Sequence, residues 1–151
     1  MDETFMREAI EEARKASWPF GAVVVRDGKE IARAGSGDGQ DISFDPTAHA
    51  EVNAIRRACQ KLQSGDLSGA VLYASCEPCA QCFGAAWYAG IRKITYGSSL
   101  EDIAHIDAAW GGDLAFPHDH IAETGMEVRS DVLKNEVMGT YASHPRVMNN
   151  T

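Results

Sequence analysis

The stretch AVLYASCEPCAQCFGAAWYAG, residues 70 to 90, decides how this chain is expected to fold. Its first six residues form a short, mostly apolar run, which is typical of a buried strand. The part that begins at Pro78 has helical spacing, and proline favours the first turn of a helix. A second run, IRKITYG at residues 91 to 97, predicts another strand. Strand, helix and strand in this order indicate an α/β sheet.

The segments before this stretch extend the same pattern. Residues 2 to 16 carry apolar side chains at helical spacing. GAVVVRDGKEIARA, residues 21 to 34, predicts a β-hairpin because two β-rich runs flank the favoured turn pair Asp27-Gly28. A glycine-rich loop follows, and residues 47 to 62 predict a helix with Thr47 as its cap.

The segments after it are less regular. Residues 100 to 125 give no clear pattern, because glycines and a proline interrupt it. MEVRS, residues 126 to 130, predicts an edge strand, and DVLKNEVMGTYA, residues 131 to 142, a last helix. We therefore expect residues 1 to 151 to form one domain, a mixed sheet covered by helices. We expect residues 144 to 151 to be a tail that is mobile or docked on a partner.

The composition restricts the kinds of protein that this chain can be. With 151 residues, 44% hydrophobic and 24% charged, it can bury one core and shows no sign of disorder. No apolar run reaches the roughly 18–20 residues of a membrane span, and the acidic start MDETFMREAI differs from a signal peptide. We expect a cytoplasmic protein. The net charge of −8 would repel a polyanion, so no nucleic-acid partner is expected.

Three of the four cysteines lie within seven positions, residues 76 to 82. In a reducing compartment such crowding indicates metal ligands or reactive thiols rather than disulfides. Catalytic zinc takes three protein ligands from histidine nitrogen and cysteine sulfur, and leaves a fourth position for water. His49, Cys79 and Cys82 match this count, and the two cysteines are one helical turn apart. The expected cofactor is one Zn²⁺ per chain.

Glu51 follows the predicted ligand His49 by two positions. Two positions on a helix correspond to about 200° of rotation, so the two side chains converge only if the metal lies off the helix end. A glutamate beside the metal can move a proton between the bound water and a leaving amine. Zinc lowers the pKa of water from about 15.7 to about 7, so a nucleophile is available at neutral pH. Glu51 is the candidate catalytic residue.

Other interpretations of the same residues remain. Cys76 and Cys79 form a C-x-x-C pair of the kind found in redox sites, although such a pair leaves His49 and Glu51 without a role. The tripeptide at residues 49 to 51 alone is also an ordinary helical segment. Cys59 lies on the same predicted helix, where we expect it to belong to the core.

The combination of H-x-E with P-C-x-x-C is a signature of zinc nucleobase deaminases, and it occurs here at residues 49 to 51 and 78 to 82. The chain resembles the cytidine deaminase superfamily. It is most similar to the guanine deaminase branch in WPFGAVVV, DPTAHAEVNAIR and SCEPCAQCFGA. The resemblance implies a three-layer α/β/α sandwich with a five-stranded mixed sheet. It also implies a homodimer or larger oligomer, and replacement of a ring amine by oxygen through attack of zinc-bound hydroxide.

The resemblance extends to residues that contact the substrate. It implies a backbone contact from Ala50 to the substrate carbonyl, and stacking of Phe20 or a nearby aromatic residue on the ring. The segment AHID, residues 104 to 107, loosely resembles an A-G-F-D segment of the guanine branch whose acid binds the base. Asp107 is therefore a further candidate for substrate binding.

One loop departs from the family pattern. Members usually carry an asparagine after the second strand that hydrogen-bonds the base or ribose, whereas this chain has SGDGQ at residues 36 to 40. Asp38 and Gln40 are the nearest polar candidates. A carboxylate only accepts hydrogen bonds, so Asp38 cannot present the same face as an amide.

Several functions fit these observations. The leading hypothesis is hydrolytic deamination of a free nucleobase, guanine or a guanine-like base, with release of ammonia. The main alternative is a cytosine-type or other small ring, such as isocytosine or a triazine, and the loop at residues 36 to 40 would distinguish the two. A tRNA adenosine deaminase shares the motifs, but the net charge of −8 argues against it. A zinc module without catalysis would have no need of Glu51.

The helical run FGAAWYAG, residues 83 to 90, combines small residues with Trp87 and Tyr88. Small residues allow close approach of a second chain, and aromatic residues are enriched at interfaces. Packing within one chain accounts for the same pattern. With the resemblance, this run favours a homodimer.

Overall fold

The computed structural model describes residues 1–39, 42–107 and 112–149. In chain order, the elements in these ranges are α1 Asp2–Lys15, β1 Trp18–Arg26, β2 Lys29–Ser36, α2 Ala50–Leu62, β3 Val71–Cys76, α3 Ala80–Tyr88, β4 Lys93–Ser98, α4 Leu100–Ile106, a 3-10 helix His118–Thr124, β5 Glu127–Arg129, α5 Lys134–Ser143 and α6 Pro145–Met148. None of the helices in these ranges is long and apolar enough to cross a membrane.

The five strands form one mixed sheet in the order β2-β1-β3-β4-β5. β1 pairs antiparallel with both β2 and β3, whereas β3, β4 and β5 run parallel to one another. The parallel half follows from the helix that connects β3 to β4, because parallel neighbours need a crossover connection. The predicted mixed sheet is confirmed, and β5 lies at its edge.

The predicted hairpin of β1 and β2 is also present. Its two turn residues, Asp27 and Gly28, have φ values of 56° and 74°. Positive φ at both positions is the requirement of the tight turn that matches the twist of paired strands.

Helices cover both faces of the sheet. The valine run of β1 alternates between them, because Val24 packs in one core and Val23 and Val25 pack in the other. The first core takes residues from α2 and α3, and the second takes residues from α1 and α5. Because β1 is buried on both faces, its sequence contains a continuous apolar run. The predicted three-layer α/β/α sandwich is confirmed.

The start of α2 differs from the prediction. Thr47 does not cap the helix, since its hydroxyl and its N–H both donate to Asp45 Oδ1, at 2.5 and 2.9 Å. This local turn ends before the helix, and His49 takes the N-cap position with extended backbone. The prediction for Thr47 was wrong because a nearby aspartate competes for the same hydroxyl.

Residues 100 to 125, which gave no clear pattern in the sequence, contain regular structure in the ranges described. α4 begins with a capping box in which Ser99 and Asp102 each bind the other's backbone N–H. Residues 144–149 pack on their own chain, where His144 Nε2 donates to the Ala16 carbonyl at 2.9 Å and Val147 is buried. These contacts hold the end of the described chain against α1, and docking on a partner stays a prediction.

We predict that Gly21→Ala destabilises the protein strongly. An added Cβ would lie 2.0 Å from the Ala9 carbonyl oxygen and 2.6 Å from the Ala13 nitrogen, backbone atoms of α1 that cannot move aside. We expect the free energy of unfolding to fall by about 3 kcal/mol, measured by urea denaturation.

Gly139→Ala is the matched control. Gly139 lies inside α5, and nothing stands within 4 Å of its added Cβ. Alanine favours a helix over glycine, so we expect a gain of up to about 1 kcal/mol. Equal effects of the two substitutions would contradict the close packing of α1 on β1.

Candidate metal centre

Two helices begin at the same place, and each is preceded by a predicted metal ligand. His49 is the N-cap of α2 and Cys79 is the N-cap of α3, both with extended backbone. Cys82 follows in the first turn of α3. His49 therefore lies just outside its helix. The side chains of His49 and Glu51 can converge only on a metal that lies off the end of this helix, and the position of His49 makes that arrangement available.

The three ligand atoms form a compact triangle. His49 Nδ1 lies 3.5 Å from Cys79 Sγ and 3.5 Å from Cys82 Sγ, and the two sulfurs are 3.7 Å apart. Zinc bonds of about 2.3 Å to sulfur and about 2.0–2.1 Å to nitrogen, at the tetrahedral angle, separate the sulfurs by about 3.8 Å and sulfur from nitrogen by about 3.5 Å. The three residues could hold a metal ion, and their spacing fits zinc.

The ligands shift one another's pKa values. A hydrogen bond from Cys82, assisted by His49, lowers the pKa of Cys79 to about 4. The bond with Cys79 raises the pKa of His49 to about 9, and that of Cys82 is raised well above its usual value. A thiolate on Cys79 is therefore favoured, and thiolate is the form that binds metal ions. Binding of a metal here requires that His49 and Cys82 lose protons.

Glu51 lies on the first turn of α2, beside this triangle. Its side chain is buried, and burial raises its pKa to about 7, although a hydrogen bond with Cys82 opposes the rise. A carboxyl group with a pKa near neutrality can both accept and release a proton at physiological pH. The structure thus places the predicted catalytic residue next to the predicted ligands.

The alternative redox pair has no support in the described chain. Cys76 is buried, and its sulfur accepts a hydrogen bond from Ser98 Oγ at 3.3 Å. Burial raises the pKa of the Cys76 thiol to about 12, so it stays protonated. Cys76 and Cys59 are both outside the group of ligand atoms, and all four cysteines are free.

A segment after α4 brings a further acid to the site. Residue Ala115 forms an antiparallel bridge with Cys79, and the Ala80 N–H donates to the Leu114 carbonyl at 2.7 Å. Asp113 is thereby placed near His49 and Cys79, where burial raises its pKa. Sequence analysis missed Asp113, because only this pairing with the start of α3 brings it to the site.

Glu77 and an aromatic stack hold that segment in position. Glu77 Oε1 accepts the Leu100 N–H at 3.2 Å, and His118 Nε2 lies 2.7 Å from Glu77 Oε2. Phe116 stacks on Phe83 of α3 with ring centroids 4.2 Å apart. Glu77 stands in the SCEPCAQC run, but the sequence alone attached no role to it.

A cavity of about 350 Å³ opens beside His49. Its walls come from the start of β1, the end of β2, the loop between β2 and α2, and the segment after α4. The lining residues are Trp18, Phe20, Ser36, Ile42, Ser43, Pro46, His49 and Asp113. A cavity of this size, with aromatic and polar walls, suits a single ring system.

The structure gives the positions of three residues that were predicted to contact the substrate. Phe20 lines the cavity, and its ring meets Tyr141 edge to face at a centroid distance of 5.9 Å. Ala50 is the first residue of α2, a position at which a backbone N–H has no partner within the helix. Asp107 is buried at the end of α4 and does not line the cavity; it hydrogen-bonds the Tyr141 side chain instead. All three roles in substrate binding stay predictions.

The loop after β2 was expected to supply a polar contact from Asp38 or Gln40. Asp38 Oδ2 accepts the Gly35 N–H at 2.8 Å and lies 3.3 Å from Arg57 Nη1. Its carboxylate therefore braces the turn, which counts against a substrate contact. Gln40 lies outside the described residues. The ends of the loop are joined by Asn53, which donates to two backbone carbonyls from the buried face of α2.

Comparison with known proteins agrees with this geometry. The family model described as the cytidine and deoxycytidylate deaminase zinc-binding region matches residues 1–98. Guanine deaminase of Bacillus subtilis (strain 168) is 42% identical over 118 residues, which cover 73% of this chain and 69% of that protein. The tRNA-specific adenosine deaminase of Haemophilus influenzae is 36% identical over 142 residues, covering 89% and 78%.

The solved structure of a guanine deaminase from Nitrosomonas europaea superposes with a TM-score of 0.75 at 26% identity, over 92% of this chain and 81% of that chain. The sheet order, the triangle of ligand atoms and the match over residues 1–98 all agree with the resemblance inferred from the motifs. The chain belongs to the cytidine and deoxycytidylate deaminase family of zinc-binding proteins.

Proposed function

We propose that this protein is a hydrolytic deaminase of a free nucleobase, guanine or a guanine-like base. The cavity beside His49 carries the proposal, because it has room for one ring system. Among its described lining residues Asp113 is the one acid, and none is a lysine or arginine. Such a lining suits an uncharged base better than a phosphorylated nucleotide.

The carboxylate of Asp113 favours a ring with N–H groups at its edge. An ionised carboxylate only accepts hydrogen bonds. Guanine carries a ring N–H next to its exocyclic amine, whereas adenine has an unprotonated nitrogen at the corresponding place. A lone pair that faces Asp113 would be repelled, so the cavity supports a guanine-like substrate over adenine.

Each protein group has a distinct task in the proposed reaction. Zinc held by His49, Cys79 and Cys82 supplies, when bound, a water acidic enough to act as a nucleophile at neutral pH. Glu51 accepts a proton from the attacking water and delivers it to the leaving amine, which departs as ammonia. The Ala50 N–H orients the substrate, and Phe20 stacks on its ring.

A tRNA adenosine deaminase is the second candidate, because such an enzyme is similar to this chain over most of its length. A separate polar cavity of about 450 Å³ includes Arg14, Lys15 and Arg146 in its lining. Arg146 stacks on Trp18 at 4.3 Å, and Trp18 lines the cavity beside His49. Arginine and lysine side chains near the cavity beside His49 could hold an RNA phosphate. However, Arg14 and Lys15 each pair with a glutamate of α1, and the chain carries a net charge of −8.

The oligomeric state and the cellular location of the protein are further parts of this proposal. We propose a homodimer that uses the outer face of α3, where Tyr88 is 85% exposed. We also propose that the chain is a single cytoplasmic domain. Neither expectation affects the reaction proposed for the site.

We predict one zinc ion per chain, bound by the three ligands. In Cys79→Ala/Cys82→Ala only His49 remains of the three, so the zinc content after dialysis should fall close to zero. Elemental analysis by mass spectrometry measures it. Cys59→Ala is the control, since Cys59 is outside the ligand group and should leave the zinc content unchanged. Full zinc occupancy in the double variant would refute the assignment.

We predict that Glu51→Gln keeps the fold and the zinc but loses turnover. The amide has the size of the carboxyl group and cannot relay protons, so kcat should fall by about 10²–10⁴-fold. Steady-state ammonia release, with zinc content determined on the same sample, tests this prediction. Activity near that of the wild type at full zinc content would place the proton relay elsewhere.

We predict that guanine is the best substrate in a panel of aminated compounds. The panel contains guanine, cytosine, isocytosine, an aminotriazine, adenosine and an RNA stem-loop with an adenosine in its loop. We expect kcat/KM for guanine to exceed that of each other compound by at least about tenfold. The release of ammonia measures the rate of each reaction. Turnover of the stem-loop alone would favour the second candidate, and turnover of a small ring alone would favour a cytosine-type enzyme. No turnover of any compound would favour a zinc module without catalysis.

A further inference from the structure

Trp18 is the first residue of β1, and Phe20 follows two positions later. Alternate residues of a strand point to the same face of the sheet, and both residues line the cavity beside His49. Phe20 is predicted to stack on the base. Trp18 therefore adds a second aromatic side chain to the same wall of the cavity, together with a polar group, the indole N–H.

Trp87 provides a comparison for Trp18 within the same chain. The guanidinium carbon of Arg92 lies 4.7 Å from the ring centre of Trp87. Arg146 stands over Trp18 in the same way, at 4.3 Å. In each case a cation covers one face of the ring and favours its position. The Trp87 N–H also has a hydrogen-bond partner, because its Nε1 donates to the Thr124 carbonyl at 3.0 Å.

The N–H of Trp18 differs, because nothing in the described part of the chain accepts a hydrogen bond from it. Its Nε1 atom is nevertheless buried. Most buried polar groups are hydrogen-bonded, and the N–H of a buried tryptophan usually finds a partner. A base in the cavity that Trp18 lines would bring an acceptor to this ring, which accounts for the unpaired N–H.

We propose that Trp18 determines which base the enzyme accepts, by donating a hydrogen bond from Nε1 to the edge of the base that carries a carbonyl oxygen and an unprotonated nitrogen. This inference rests on the proposed function. Asp113 lines the same cavity, and its carboxylate accepts hydrogen bonds. Together the two residues select a base that offers an N–H group to Asp113 and an acceptor to Trp18. Guanine offers both.

The test combines a change in the protein with changes in the base. Trp18→Phe keeps an aromatic ring for Arg146 to cover and removes the N–H. 7-Deazaguanine lacks the N7 acceptor, and 6-thioguanine carries sulfur, a weaker acceptor, in place of the carbonyl oxygen. The wild type should prefer guanine over one of these analogues by roughly tenfold in kcat/KM, the effect of one lost hydrogen bond to a buried group. Trp18→Phe should lose that factor on guanine and nothing on that analogue.

Two matched variants separate selection from a general effect on structure. Trp87→Phe makes the same chemical change at a ring outside this cavity, so it should leave the ratio of rates unchanged. Trp18→His has a ring smaller than indole, as Trp18→Phe does, but keeps an N–H donor, so it should retain part of the preference for guanine. It also serves if Trp18→Phe does not fold. Kd values measured by calorimetry in a Glu51→Gln background should show the same pattern without turnover.

Four outcomes overturn the proposal. A wild type that treats guanine and both analogues alike has no donor at this edge of the base. In Trp18→Phe, an equal loss on all three bases would give Trp18 a structural role only, and no loss on any of them would give it no role in selection. In these cases the wild type still deaminates guanine, so the proposed function stands and the assignment of Trp18 is rejected. If the wild type neither binds nor deaminates any of the three bases, the proposed function fails and the assignment fails with it.

Discussion

The close approach of two helix N-termini is the constraint on which the rest of the site depends. α2 and α3 follow different strands, yet their N-caps, His49 and Cys79, bring nitrogen and sulfur to 3.5 Å. The positive ends of both helix dipoles then face one point, which favours the thiolate ligands. Packing of both helices in the same core keeps these ends together. The sheet therefore acts as the support that holds the ligands in register.

The cavity depends on a second constraint, the path of the segment after α4. That segment has little regular structure of its own, and it is held by the bridge between Ala115 and Cys79 and by Glu77, which contacts His118. The same bridge brings Asp113 near the predicted metal ligands. One side of the cavity and the predicted metal ligands thus share one set of contacts, because the SCEPCAQC run supports both.

Selection of a base is where relatives with the same motifs are expected to differ. Guanine deaminase and tRNA adenosine deaminase are similar to this chain at comparable identity, so the motifs alone do not separate their substrates. In this chain Asp38 braces the turn after β2, and the buried residue Ser36 lines the cavity.

The sequence by itself determined the mixed sheet and the hairpin, and it singled out His49, Cys79 and Cys82 as residues that could hold a metal ion, because local periodicity and motif spacing encode them. It misplaced the cap of α2, and it did not find Asp113 or the structure of residues 100 to 125. Those features depend on contacts between residues far apart in the chain, which no local pattern records. Only the tertiary structure showed that Gly35 and Arg57 engage Asp38 and that Ser36 lines the cavity, because the partners of a polar side chain are set by packing.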